Sequence, residues 1–321
     1  MRKLAGAAAL CCGIAFSAVA DGPPAPGASV PARTLSRLLL VDAQRAGSRI
    51  VAVGDRGYVV VSDDDGKTWR RAKAPDVPLL TAVAFEDARR GLAVGHDATI
   101  LATEDGGDTW KQVFSAPSEE RPLLCVAWVA PSRAIAIGAY GAYYESLDGG
   151  RTWNARKILN DDKHLNGLVV LGQGRLLIAG EAGTLLSSND AGATWTPLAS
   201  PYKGSFFGGL AADDGTIVVY GLRGRIFRSA DGGATWSPVD NPSDAAIMSG
   251  ARLPDGALVL AGAMGAALVS RDNGRSFQPI DTGTSHLLSK PVLGAPNQVL
   301  LLGEAGVRAV ALPLKRPGHA Q

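Results

Sequence analysis

Aspartates are the first residues in this chain whose spacing suggests chemistry. Six segments carry one at the same place: Ser62–Trp69 (SDDDGKTW), Thr103–Trp110 (TEDGGDTW), Ser146–Trp153 (SLDGGRTW), Ser188–Trp195 (SNDAGATW), Ser229–Trp236 (SADGGATW) and Ser270–Phe277 (SRDNGRSF). All read Ser/Thr-x-Asp-x-Gly-x-Thr/Ser-Trp/Phe, the pattern of an Asp box. The run Asp63-Asp64-Asp65-Gly66 invites a calcium reading. A twelve-residue calcium loop, however, needs oxygen ligands at alternate positions and a closing Glu, and Lys67 stands at one of those positions. Six copies cannot all be one active site. The reading that remains is structural: Asp64, Asp105, Asp148, Asp190, Asp231 and Asp272 accept backbone N–H groups in hairpins, and the Gly two residues on supplies a positive φ. The closing aromatic then buries its ring between neighbouring units.

Other reactive groups are sparse. His96, His164, His286 and His319 are isolated, without the short spacings of a zinc site. There is no Gly-x-Ser-x-Gly elbow. Neither a metal nor a cofactor is expected. Of three cysteines, Cys11 and Cys12 lie in an apolar leader, so Cys125 alone would survive processing, with no intramolecular disulfide. Its setting in Leu123-Leu124-Cys125-Val126-Ala127-Trp128 predicts a buried, inert thiol.

The elements that must hold these residues follow from the repeat. The closing aromatics fall at 69, 110, 153, 195, 236 and 277, steps of 41 to 43 residues. A second marker keeps the same phase: an apolar run ends in Gly at 54, 95, 138, 180, 221, 262 and 303, seven times rather than six. Each unit reads as four strands with a Gly turn after the second and a polar hairpin after the third. In the fifth unit these are Ser205–Ala211, Thr216–Tyr220, Arg225–Ser229 and Thr235–Val239. Four strands per period of about 41 residues is the signature of a propeller blade. The expected fold is therefore an all-β, seven-bladed β-propeller over residues 37–313 with a tail at 314–321. The seventh unit ends before a box can form. The segment 21–36 is expected to close the ring, with residues from about Val30 to Ser36 supplying the outer strand of the last blade.

The start of the chain reads as an export signal over residues 1–20. Arg2 and Lys3 precede an apolar run from Leu4 to Val19, and Ala18-Val19-Ala20 forms a small-residue cleavage site. That run is short for a membrane span, and no later segment qualifies. The 32 basic and 30 acidic residues become equal once Arg2 and Lys3 are removed. A neutral mature chain argues against nucleic acid or an anionic membrane surface as partner.

The pairing of the box with Ala52-Val53-Gly54-Asp55-Arg56-Gly57 and its equivalents resembles the photosystem II stability and assembly factor family, across roughly Arg37 to Pro313. The stretch Gly221–Ser229, preceded by Ser205-Phe206-Phe207-Gly208, looks most like the bacterial branch of that family. The resemblance implies a non-enzymatic binding and assembly protein serving a membrane-protein complex. It would act on the lumenal side of a thylakoid if the host is photosynthetic, and otherwise in the periplasm as an accessory of a transporter or envelope complex. Sialidases share the Asp box, but their chemistry needs an arginine cluster, a Tyr nucleophile and acid/base carboxyls. No Arg-Ile-Pro motif is present, and Tyr58, Tyr143 and Tyr220 fall in expected strands. Xyloglucan-cleaving relatives place their site between two tandem propellers, and one is present here.

A binding site is expected on the face that carries the second-to-third-strand turns and the links between blades, opposite the boxes. Candidate contacts there are Arg56, His96, Tyr140, His164, Lys203, Phe206, Arg223 and Arg225. They would engage a membrane-protein segment or envelope protein, with the arginines suited to an acidic loop or a carboxylate. A monomer is expected.

Overall fold

A computed structural model describes residues 24–313. The leader and the tail lie outside the described residues, as do Cys11, Cys12 and His319. Seven antiparallel sheets surround a central channel. Their innermost strands are Leu40–Ala46, Leu80–Phe85, Leu123–Ala130, Leu165–Gly172, Phe206–Ala211, Ile247–Arg252 and Leu288–Leu293. The remaining strands follow outward in chain order, so each unit of the repeat is one blade. In the fifth blade they are Phe206–Ala211, Ile217–Gly221, Ile226–Ser229 and Ser237–Val239, within two residues of the expected bounds.

The second strand of each blade is apolar without alternation because blades cover both of its faces. Ile50 to Val53 and Ile217 to Tyr220 are all buried. Each of these strands ends in glycine because the chain entering the same blade passes directly over it. A β-carbon would lie 2.0–2.4 Å from a backbone carbonyl oxygen at all seven, as at Gly54 against Leu39 and Gly262 against Ala246. The second sequence marker is thus a steric requirement.

Seven blades stand as expected, and six have four strands, but the seventh has three. The N-terminal segment does not supply its missing outer strand. Residues 27–30 instead run along the outer strand of blade 1: Gly27 N–H donates to the Arg71 carbonyl, Arg71 N–H to Ala28, and Val30 N–H to Trp69. Ala32–Leu35 is a short helix. The physical reason is a competing position. Gly306, in the last turn of blade 7, would bring a β-carbon within 2.1 Å of the Leu35 carbonyl oxygen. Inter-blade links occupy the same place elsewhere, Tyr202 against Gly183 and Thr284 against Gly265. Leu35 and Ser36 therefore stand where a link leaving blade 7 would run.

Closure rests on packing rather than on strand exchange. Val30, Ile50, Val60, Trp69, Val292 and Leu300 form one buried cluster, with Leu35 and Leu38 against it. Across the same seam, Arg45 donates to the Leu293 carbonyl at 2.9 Å, and Lys290 pairs with Asp42 at 2.9 Å.

Candidate functional site

Six hairpins occupy one face, and their geometry is uniform. The aspartate Oδ1 accepts the backbone N–H four residues on at 2.8–3.0 Å. Its Oδ2 accepts the hydroxyl of that same Thr or Ser at 2.5–2.6 Å. The leading Ser/Thr hydroxyl accepts the glycine N–H at 2.8–3.0 Å. These bonds to the charged form hold the carboxyls of Asp64, Asp148, Asp190 and Asp231 down at about 2, the Thr hydroxyl being the largest cause. At Asp105 and Asp272 desolvation opposes the shift, and the hydroxyl and backbone bonds outweigh it. Asp63 and Asp65, which made the calcium reading attractive, are held by Arg49 and Arg45 at 2.6 Å.

The opposite face carries the second-to-third-strand turns and the links. The middle residue of each turn is left-handed, with φ of 52–58° at Arg56, Asp97, Tyr140, Ala182, Arg223 and Met264. His96 precedes that position in its blade and is exposed. Arg56 is exposed and pairs with Asp55 at 3.5 Å. These two stand on blades 1 and 2.

Tyr140 and His164 meet. The Tyr140 N–H donates to His164 Nδ1 at 3.0 Å, and the rings stack edge to face at 4.9 Å. Glu181 fastens the pair by accepting the His164 N–H at 3.1 Å. Blade 5 gathers a second group in which Lys203, Arg223 and Arg225 are exposed. The Tyr202 hydroxyl donates to the Leu222 carbonyl at 3.5 Å and joins that link to that turn.

Phe206 is a correction: it is fully buried. It packs edge to face on Tyr202 and Phe227 within a core cluster, so it offers no surface to a partner. Its neighbour Phe207 is half-buried and lines the channel. Leu222 and Met264 are exposed apolar side chains on the link face that the candidate set omits, Met264 at 76% exposure. With Tyr140 they give blades 3, 5 and 6 apolar tips.

Cys125 also departs from expectation. It is half-buried and lines the central channel. Desolvation pushes its thiol up to about 11, so it carries little thiolate at neutral pH. Tyr58, Tyr143 and Tyr220 are buried. The Arg71 guanidinium lies 4.6 Å over the Tyr58 ring, and the Tyr143 hydroxyl donates to the Gly192 carbonyl.

A family model described as "Photosynthesis system II assembly factor YCF48" matches residues 112–285, more than half of the chain. Among solved structures, the chain is similar to "YCF48 bound to D1 peptide", with 21% identity, a TM-score of 0.70, and 90% of this chain and 96% of that one covered. It is similar to YCF48 from Cyanidioschyzon merolae at 19% identity and a TM-score of 0.68, covering 90% and 99%. A GH74 xyloglucanase from Xanthomonas campestris gives 14% identity and a TM-score of 0.71, covering 88% of this chain but 53% of that one. No curated protein matches the chain in sequence.

Proposed function

This chain belongs to the photosynthesis system II assembly factor family, and from that premise we propose that it is a non-catalytic, exported binding protein. Its link face holds a segment of a membrane protein while an envelope complex is assembled. The observation that carries this reading is the composition of blade 5 and its neighbours. Exposed Lys203, Arg223 and Arg225 lie beside exposed Leu222, with the apolar tips of Tyr140 and Met264 on the same face. Basic side chains select an acidic or carboxylate-bearing segment, and apolar tips on a rigid scaffold add contact area. A relative of the same fold has been solved with a peptide, D1, bound. The basic leader and its apolar run support export to the periplasm, and the stretch Gly221–Ser229 with Ser205-Phe206-Phe207-Gly208 before it supports membership of the bacterial branch.

The likeness to part of a xyloglucanase favours a hydrolase reading only at the level of fold. Of the tyrosines weighed as nucleophiles, Tyr58 and Tyr143 are buried within the blades. The test is recovery of crosslinked membrane proteins by the wild type and by a Lys203→Glu, Arg223→Glu variant. We expect one defined membrane protein to be captured by the wild type and lost by at least tenfold in the variant. Equal recovery, or wild-type turnover of fluorogenic sialosides or glucans, sinks the proposal.

A further inference from the structure

The innermost strands carry groups that neither the hairpins nor the link face use. Two adjoining cavities of about 910 and 540 Å³ make up the central channel, and the eight residues that they share include Asp42, Cys125, Arg252 and Lys290. The larger one reaches the starts of the inner strands, where the links arrive. There the second residue of the strand is Leu124 in blade 3, Phe207 in blade 5 and Met248 in blade 6, each half-buried and lining the cavity. One residue deeper the wall turns polar, with Asp42, Cys125, Ser249 and Lys290.

The groups of that polar wall keep unused hydrogen-bonding capacity. Asp42 is held through both oxygens, with Oδ1 accepting from Lys290 and Oδ2 accepting the Val83 N–H at 2.9 Å. Lys290 has an ammonium with three donors, one of which goes to Asp42. The Ser249 Oγ is buried without a hydrogen-bond partner. Tyr220 is 3% exposed and lines the same cavity. Its ring folds over Gly208, where a β-carbon would lie 2.8 Å from the phenol oxygen. Among the described residues nothing hydrogen-bonds to that hydroxyl. Glycine at 208 is thus what lets the phenol reach the channel. A buried hydroxyl left unpaired, as at Ser249, is destabilising, and a suitable ligand atom would relieve it. The hydroxyls of Ser249 and Tyr220 can give or accept a hydrogen bond, whereas the ammonium of Lys290 only gives, so the atom that meets all three is an acceptor oxygen.

We propose that the central channel binds a small, largely apolar molecule whose polar end is a carbonyl or carboxylate oxygen. Lys290, Tyr220 and Ser249 hold the oxygen, and Leu124, Phe207 and Met248 hold the body. The molecule enters polar end first from the link face. The volume suits such a ligand, and the wall sets an apolar ring at Leu124, Phe207 and Met248 above the polar groups. This site stands independently of the docking of a protein on that face.

The experiment is calorimetric titration of the full chain with 4-phenylbutyrate and with 4-phenylbutan-2-one. Saturable one-to-one binding of at least one probe is expected. A preference for the acid assigns the head group to the charge of Lys290, and equal affinity assigns it to neutral hydrogen bonding. The Tyr220→Phe, Ser249→Ala variant should bind at least tenfold more weakly with an unchanged melting temperature. If that variant does not fold, Phe207→Trp, which narrows the mouth, should show the same loss. No saturable heat with either probe up to millimolar concentration, or undiminished affinity in the folded variants, overturns the proposal.

Discussion

Gly262 ends the second strand of blade 6 where a β-carbon would meet the Ala246 carbonyl oxygen at 2.0 Å. Its φ of −169° is open to any residue, so only the close approach excludes a side chain. Gly149 presents the opposite case, with a φ of +79° and nothing within 4 Å of an added β-carbon. We predict that Gly262→Ala destabilises the protein by about 2–3 kcal/mol, and Gly149→Ala by about 1 kcal/mol. Urea unfolding separates the two, and equal losses would remove the steric account. Residue by residue, the sequence revealed the glycines because each is defined by its own blade. It did not reveal the facing of Phe206 and Phe207. Adjacent strand residues point opposite ways, and an irregular register between Phe206 and Gly208 decides which is core. Asp42 and Lys290 did leave a signal, as charged residues near the starts of inner strands.

At the scale of the element, the hairpins tie stability to acid. The carboxyls of Asp64, Asp148, Asp190 and Asp231 sit at about 2 when folded, against an ordinary 3.8. On acidification the unfolded chain therefore takes up protons before the folded one. Their contribution is complete above roughly pH 4 and drains away as pH falls toward 2. Thermal melts should show a nearly constant midpoint from pH 7 to 5 and a steep fall between pH 4 and 2. Thr235→Val removes the hydroxyl donor of one hairpin and should make that fall shallower. A midpoint that stays level down to pH 2 would contradict the role given to these bonds. The hairpins were fully legible because the aspartate and its partners lie within a few residues of one another. The turns opposite were legible only to within a residue: His96 sits one place before the left-handed position, held in its own turn by Asp97 and in others by Arg56, Tyr140 and Arg223.

For the molecule as a whole, the seam between blades 1 and 7 was the part hidden from the sequence, since its contacts join distant segments. Arg45 and the Leu293 carbonyl are 248 residues apart. The strand expected to close the ring lies instead on blade 1, and Val30, Leu35 and Leu38 seal the junction by packing. Deleting the residues up to Ser36 should cost at least about 3 kcal/mol, from Val30 and Leu35. Urea unfolding at an unchanged midpoint would show the segment to be dispensable. The seam also governs timing. Six junctions join neighbours in the chain and can form as soon as two blades exist, whereas the seventh waits for the last blade, with a loop-closure entropy to match. A chain delivered from one end, by a ribosome or through a translocation pore, would carry an open crescent until that moment. Ile50, Val60 and Leu300 would stay wet in the interval. That is the window in which this protein would most need a holding chaperone.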